Sequence, residues 1–142
     1  MKTIMSILAC MIIHHAYAGD IAPTMSATTT HFTVVLPSDW SVNTVTNELK
    51  RWKYGFFNGT NLVFQAEVWT GTEFLECFCA PWDKYEVIKR TNEEARVLRL
   101  DDKTRTLKIA GQRYSLDIHA TFKGYSPDVI DNILTSIRMN NE

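Results

Sequence analysis

The sequence predicts an α+β fold: an antiparallel sheet of about five to seven strands packed by two helices, in a single domain. Three observations lead there. Short runs of β-branched and aromatic residues recur along the chain, densest over residues 61–82. Turn residues punctuate them, as at Thr70-Gly71-Thr72 and Asp101-Asp102-Lys103-Thr104. Two stretches carry apolar residues at helical spacing instead, one near residue 45 and one near residue 130.

The chain opens with Met1-Lys2, an apolar stretch from Ile4 to Ile13, and Ala16-Tyr17-Ala18 before Gly19-Asp20. A basic start, a short apolar centre and a small-x-small exit are the pattern of a secretory signal peptide over residues 1–18, with cleavage after Ala18 and a mature chain beginning at Gly19. The apolar run is shorter than the ~20 residues of a membrane-spanning helix, so no stable membrane insertion is expected. Ile7-Leu8-Ala9-Cys10 partly matches a lipid-attachment box, but the apolar segment ahead of Cys10 is short. The expected localisation is periplasmic or secreted.

Residues 19–31, with Pro23 and three consecutive threonines, show no apolar periodicity and read as a flexible lead-in to one domain over residues 32–142. Phe32, Thr33, Val34 and Val35 make a first strand that Pro37 stops, and Trp40 then folds back as a lid on the core edge. Val42, Val45, Leu49 and Trp52 follow at spacings of three, four and three, which predicts a first helix capped by Asn43 or Thr44. Glu48 sits early in it and Lys50, Arg51 and Lys53 late, in accord with the helix dipole.

Gly55 and Asn58-Gly59 end that helix and lead into a central hairpin. Leu62, Val63, Phe64, Val68 and Trp69 form its first strand; Phe74, Leu75, Cys77, Phe78 and Cys79 form its second, around Thr70-Gly71-Thr72. Alternation puts Leu62, Phe64, Ala66 and Val68 on the core face, and Val63, Gln65, Glu67 and Trp69 on the other. Residues 83–90 suit either an edge strand or a short irregular helix. Residues 95–100 and 105–110 form a second hairpin. In residues 113–122, Tyr114, Leu116, Ile118, Ala120 and Phe122 alternate with Ser115, Asp117, His119 and Thr121, the pattern of a half-buried antiparallel strand. Ser126-Pro127-Asp128 then starts a second helix, whose apolar stripe is Val129, Ile130, Ile133, Leu134 and Ile137.

The charge balance limits the partners. Removing Lys2 with the leader turns 15 Lys and Arg into 14 against 16 Asp and Glu, a net charge of −2 in place of −1. So little basic charge does not suit nucleic acid, whose binders need a clustered cationic surface. Cys77 and Cys79 are the two cysteines beyond the leader. They can be packed as small hydrophobes, be joined in a strained disulfide, or act as a redox pair; packing is the expectation because no βαβ pattern surrounds them. A metal site would need further ligands, and His31 and His119 are the only histidines beyond the leader, so neither a metal nor another cofactor is expected.

Phe32-Thr33-Val34-Val35-Leu36-Pro37 followed by Trp40, and the apolar helix from Val129 running into Thr135-Ser136-Ile137-Arg138, resemble the PsbP-like family of small α+β domains. That resemblance implies a sheet packed by helices and a binding or accessory role in the cell envelope. It implies no site residue.

Catalysis would have to join Asp117 and His119, two apart on one strand, to Cys77 or Cys79, which alternation places on the opposite face. The chain is therefore not expected to be an enzyme. What remains is a face carrying Glu67, Trp69, Phe74, Glu76, Phe78, Asp117 and His119, aromatic anchors among carboxylates, which is the composition of a protein-binding surface. The expected function is binding another protein, as an immunity or inhibitor protein that neutralises a toxin or lytic enzyme in the envelope. A PsbP-like accessory protein, and a small-ligand or carbohydrate binder using Trp69 with Glu67, are the alternatives.

Overall fold

The computed structural model describes residues 23–72, 74 and 81–140. The expected leader and Cys77 and Cys79 therefore lie outside the described residues. Alternating apolar residues define ten strands: β1 (Thr24–Thr28), β2 (Phe32–Pro37), β3 (Trp40–Glu48), β4 (Arg51–Asn58), β5 (Asn61–Thr70), β6 (Glu86–Lys89), β7 (Glu94–Asp101), β8 (Thr104–Ala110), β9 (Tyr114–Thr121) and β10 (Arg138–Met139). One α-helix, α1 (Pro127–Ser136), and a short 3-10 turn at Trp82–Lys84 complete the described elements. β3 to β9 form an antiparallel sheet in the order β3-β4-β5-β9-β8-β7-β6, and β1-β2-β10 form a small second sheet.

The class is thus sheet-rich, with one helix among the described residues where the sequence suggested two. The missing helix is the expected one across residues 42–53. Its residues form β3 and β4, paired from Trp40 with Asn58 to Glu48 with Arg51. Strand formers outweigh the three-four spacing here: Val42, Thr44, Val45 and Thr46 are β-branched, and Trp52, Tyr54 and Phe56 repeat with the period of a strand. Leu49 and Lys50 make the turn, and Lys50 carries a left-handed φ of 63°. Lys50→Gly should raise stability by about 0.5–1 kcal/mol, since glycine holds that conformation without a Cβ clash; an unchanged urea midpoint would contradict this.

The central hairpin is likewise corrected. β5 runs between β4 and β9, and Ala66 to Thr70, the residues a following strand would pair with, face Ile118 to Tyr114 of β9. The lead-in is ordered where it is described: β1 lies antiparallel on β2, from Thr24 opposite Pro37 to Thr28 opposite Thr33. The strand over 32–37, the hairpin over 95–110, the strand over 113–122 and the last helix are all present, and residues 82–90 contain both a 3-10 turn and the edge strand β6.

The core lies between the large sheet and a cover made of β2, β10 and α1. Phe56, Phe64, Ala66, Val68, Leu107, Ile109, Leu116 and Ile118 rise from the sheet to meet Phe32, Val34, Leu36, Ile130, Ile133 and Leu134. Each large side chain buried this way is worth roughly 1.5–3 kcal/mol. Phe56 stacks on Phe64 at 4.5 Å, and Trp40 closes the margin edge-on to Tyr125 at 5.3 Å. Polar groups fasten the cover. The backbone N–H of Val35 donates to Ser136 Oγ at 2.9 Å, while the Arg105 guanidinium reaches from β8 to Asp131 on α1 at 2.8 Å. Arg90, at the end of β6, donates to Glu93 and to the Thr135 and Ile137 carbonyls, so it satisfies the open end of α1.

His31 sits buried at the seam of the two sheets, against Trp52 at 4.1 Å and Tyr114 at 4.7 Å, with Nδ1 bonded to the Tyr54 hydroxyl. Burial pushes its imidazole below the ordinary value of 6.5. The unfolded chain therefore binds a proton at a pH where the folded protein holds His31 neutral. This contribution to stability is complete above the unfolded pKa and falls as the pH drops through about 6.5 toward the lowered folded value. Urea midpoints should decline over that window, and His31→Gln should flatten the decline; a midpoint with the same pH slope in both proteins would contradict the assignment.

Candidate binding face

The face of the large sheet turned away from α1 is read row by row from the strand register. One row runs Lys53, Glu67, Asp117, Lys108 and Arg96 across β4, β5, β9, β8 and β7. Its two ends differ. On the β9-β8-β7 side the charges are enclosed: Lys108 is 1% exposed and its Nζ donates to Asp117 Oδ1 at 2.8 Å. Arg96 stacks over the Phe74 ring at 5.0 Å. Tyr85 is buried, and burial, then the negative charge of Asp117, raise the pKa of its phenol. Ser115 Oγ donates to the Gly71 carbonyl at 2.9 Å.

These contacts follow from topology. β5 lies third from one margin of the sheet and β6 forms the other, so the connection between them must pass three strands. Gly71, Phe74 and Tyr85 belong to it, and they lie on this half of the face.

The β3-β4-β5 half is built differently. Both strands beside β4 carry an extra residue: the β3 register shifts between Thr44 and Thr46, and that of β5 between Phe64 and Leu62. A bulge reverses the alternation beyond it. Leu62, expected in the core with Phe64, accordingly turns outward and is 48% exposed. Val45, the extra residue of β3, is 45% exposed. Both meet Phe57 above Gly55. A Cβ at Gly55 would lie 2.6 Å from Phe57 Cε2, 2.9 Å from Val45 Cγ2 and 3.0 Å from Leu62 Cδ1, so the absent side chain lets the three close over β4. Beside this apolar cluster lie Glu67, 3.5 Å from Lys53 with both partly exposed, and the partly exposed Trp69 opposite Arg51.

Of the seven residues expected to bind a partner, the structure places Glu67 and Trp69 on this half. Phe74 packs on Arg96 and Asp117 neutralises Lys108, both on the enclosed half. His119 is exposed, with Nδ1 3.0 Å from Thr106 Oγ1. Glu76 and Phe78 lie outside the described residues. Leu62 was not legible as a surface residue, because only the β5 bulge turns it outward, and Val45 carries the spacing of a helix's apolar face; Phe57 keeps the plain alternation of β4. Gly55→Ala should displace Phe57 and Leu62, which can swing outward, at small cost in stability but with a loss of partner affinity; unchanged affinity would remove the cluster from the interface.

Asp117 and His119 share a face, as alternation implied, but their side chains engage Lys108 and Thr106 respectively. Among the described residues no three His, Cys, Asp or Glu side chains converge as a metal cage, and no helix is long and apolar enough to cross a membrane.

No family model matches the chain, and no curated protein matches it. A solved structure from Bacteroides thetaiotaomicron aligns with 85% of this chain at 12% identity and a TM-score of 0.39. The alignment covers 49% of that protein, so this chain spans about half its length.

Proposed function

We propose that this protein is exported and acts by binding another protein through the outer face of β3, β4 and β5, as an immunity or inhibitor protein that neutralises a toxin or lytic enzyme in the cell envelope. The observation that carries the reading is the cluster of Val45, Phe57 and Leu62 closed over Gly55, on the half of the face away from Phe74 and Tyr85. The β5 bulge turns Leu62 outward beside Val45 and Phe57, where a solvated sheet would carry polar side chains. Lys53, Glu67 and Trp69 beside it supply the charged and aromatic margin that surrounds the anchors of protein interfaces. Export is supported by the leader-like start of the sequence.

The test has two arms. Mass spectrometry of the periplasmic or secreted protein should give a chain beginning at Gly19. That purified chain, titrated into a panel of cell-wall hydrolases and envelope toxins, should abolish the activity of at least one at near-equimolar ratio. Full activity of every enzyme in the panel would reject the inhibitor reading, and a chain retained with a lipidated Cys10 would reject the soluble one.

A further inference from the structure

We propose that the cleft between the β1-β2 turn and β3 binds a small, neutral, polyhydroxylated ligand of the mono- or disaccharide class. The cleft has a volume of about 480 Å³, within the range of small-molecule sites. Thr28, Thr29 and Thr30 line one side, and Val42, Asn43 and Thr44 the other, with the buried Tyr54 hydroxyl between them. It lies at the seam of the two sheets, on the inner side of the β3-β4 margin and so on the opposite side from the apolar cluster over Gly55. Its occupancy is independent of the protein-binding reading.

The lining selects the ligand class by its chemistry. The threonine hydroxyls at its rim, those of Thr28, Thr30 and Thr44, can each donate and accept, and among the described residues no carboxylate, ammonium or guanidinium lines the cleft. A charged ligand would find no counter-charge there, and an apolar one would strip water from hydroxyls without replacing its hydrogen bonds. A sugar offers alternating donors and acceptors, and its C–H face suits Val42 and the threonine methyls.

The walls are also fixed in place. Thr29 Oγ1 accepts from the backbone N–H of His31 and of Phe32 and donates to the Phe32 carbonyl, which locks the turn. Asn140 donates its side-chain amide to the Thr29 and Thr30 carbonyls at 3.0 and 3.1 Å, so the C-terminal strand braces the turn from behind. His31 Nδ1 holds the Tyr54 hydroxyl. A turn tied by three separate elements loses little further entropy when a ligand arrives, which is the condition for a useful weak-ligand site.

The experiment is an amide-shift titration of the 15N-labelled protein with glucose, N-acetylglucosamine, maltose and chitobiose. At least one sugar should give saturable shifts confined to residues 28–31, 42–44 and 54. Thr30 and Thr44 are exposed, so Thr30→Val and Thr44→Val remove a hydroxyl each at nearly constant volume, and together they should weaken binding about tenfold. The rest of the spectrum of the double variant should overlay that of the parent. No saturable shift with any of the four sugars would overturn the proposal, as would shifts centred on Trp69 or an affinity unchanged in the double variant.

Discussion

Replacing Glu93 by Ala is expected to lower the stability of the protein by ~3–5 kcal/mol, the range found when one partner of a buried ion pair is removed. The side chains of Arg90 and Glu93 are 9% and 5% exposed. Arg90 would keep its charge in that enclosed position and lose its carboxylate bond to Glu93. Glu93 also accepts the backbone N–H of Met139 at 2.8 Å, so the same change frees a donor of β10. The Arg90 bonds to the Thr135 and Ile137 carbonyls tie the β6-β7 turn to the end of α1. Loss of this junction loosens the cover from the sheet. A urea titration of Glu93→Ala is the measurement, and a midpoint within error of the parent would show that the network contributes nothing. Exchanging both residues for a well-packed apolar pair should cost far less, because no unpaired charge is then left behind.

The second large effect is expected on binding. Trp69→Ala should weaken partner affinity by at least ~2 kcal/mol, the threshold for an aromatic anchor, with the fold retained. Trp69 lies opposite Arg51 and Ser115 on the outer face, while its neighbour Val68 fills the core. Charge reversal at Glu67 should act mainly on the association rate and its salt dependence, since Glu67 is partly exposed and its bond to Lys53 is a surface pair. If Trp69→Ala instead unfolds the protein at room temperature, the indole belongs to the core and the face proposed for binding is wrong.

Much of the fold could be read from the residues, and the failures have definite physical causes. β2, the β7-β8 hairpin, β9 and α1 were legible because local propensity, alternation and turn chemistry agree within each segment. Residues 42–53 offered two periods at once. The spacing of Val42, Val45, Leu49 and Trp52 fits a helix, while Trp52, Tyr54 and Phe56 fit a strand that begins inside it. Pairing of β4 on both edges settles the matter in favour of the strand, and that pairing is not local. The position of β5 was misread for a related reason. Its neighbour β9 comes from more than forty residues downstream, so no turn residue near Thr70 could reveal it.

The candidate face was legible in part. Alternation alone put Glu67 and Trp69 outside and Phe64, Ala66 and Val68 inside. It could not foresee that Leu62 crosses to the outer face, because a bulge is a property of two paired strands and leaves no mark on one. Nor could it foresee that Tyr85 comes close to Asp117, which had looked solvated because it alternates with Leu116 and Ile118. Lys108 gave a faint signal: a lysine among Leu107 and Ile109 in a strand where buried residues occupy both faces. Gly55 gave another, standing alone amid aromatic residues in a strand, where a glycine marks close approach by other groups.

Hydrogen–deuterium exchange on the complex with a hydrolase or toxin inhibited in the proposed titration tests the central claim most directly. The account predicts slowed exchange on binding in β3, β4 and the Leu62 to Trp69 stretch of β5, with β7 and β8 unchanged. Protection confined to β7 and β8, or to the Asp101-Asp102 turn, would place the interface on another surface and contradict it.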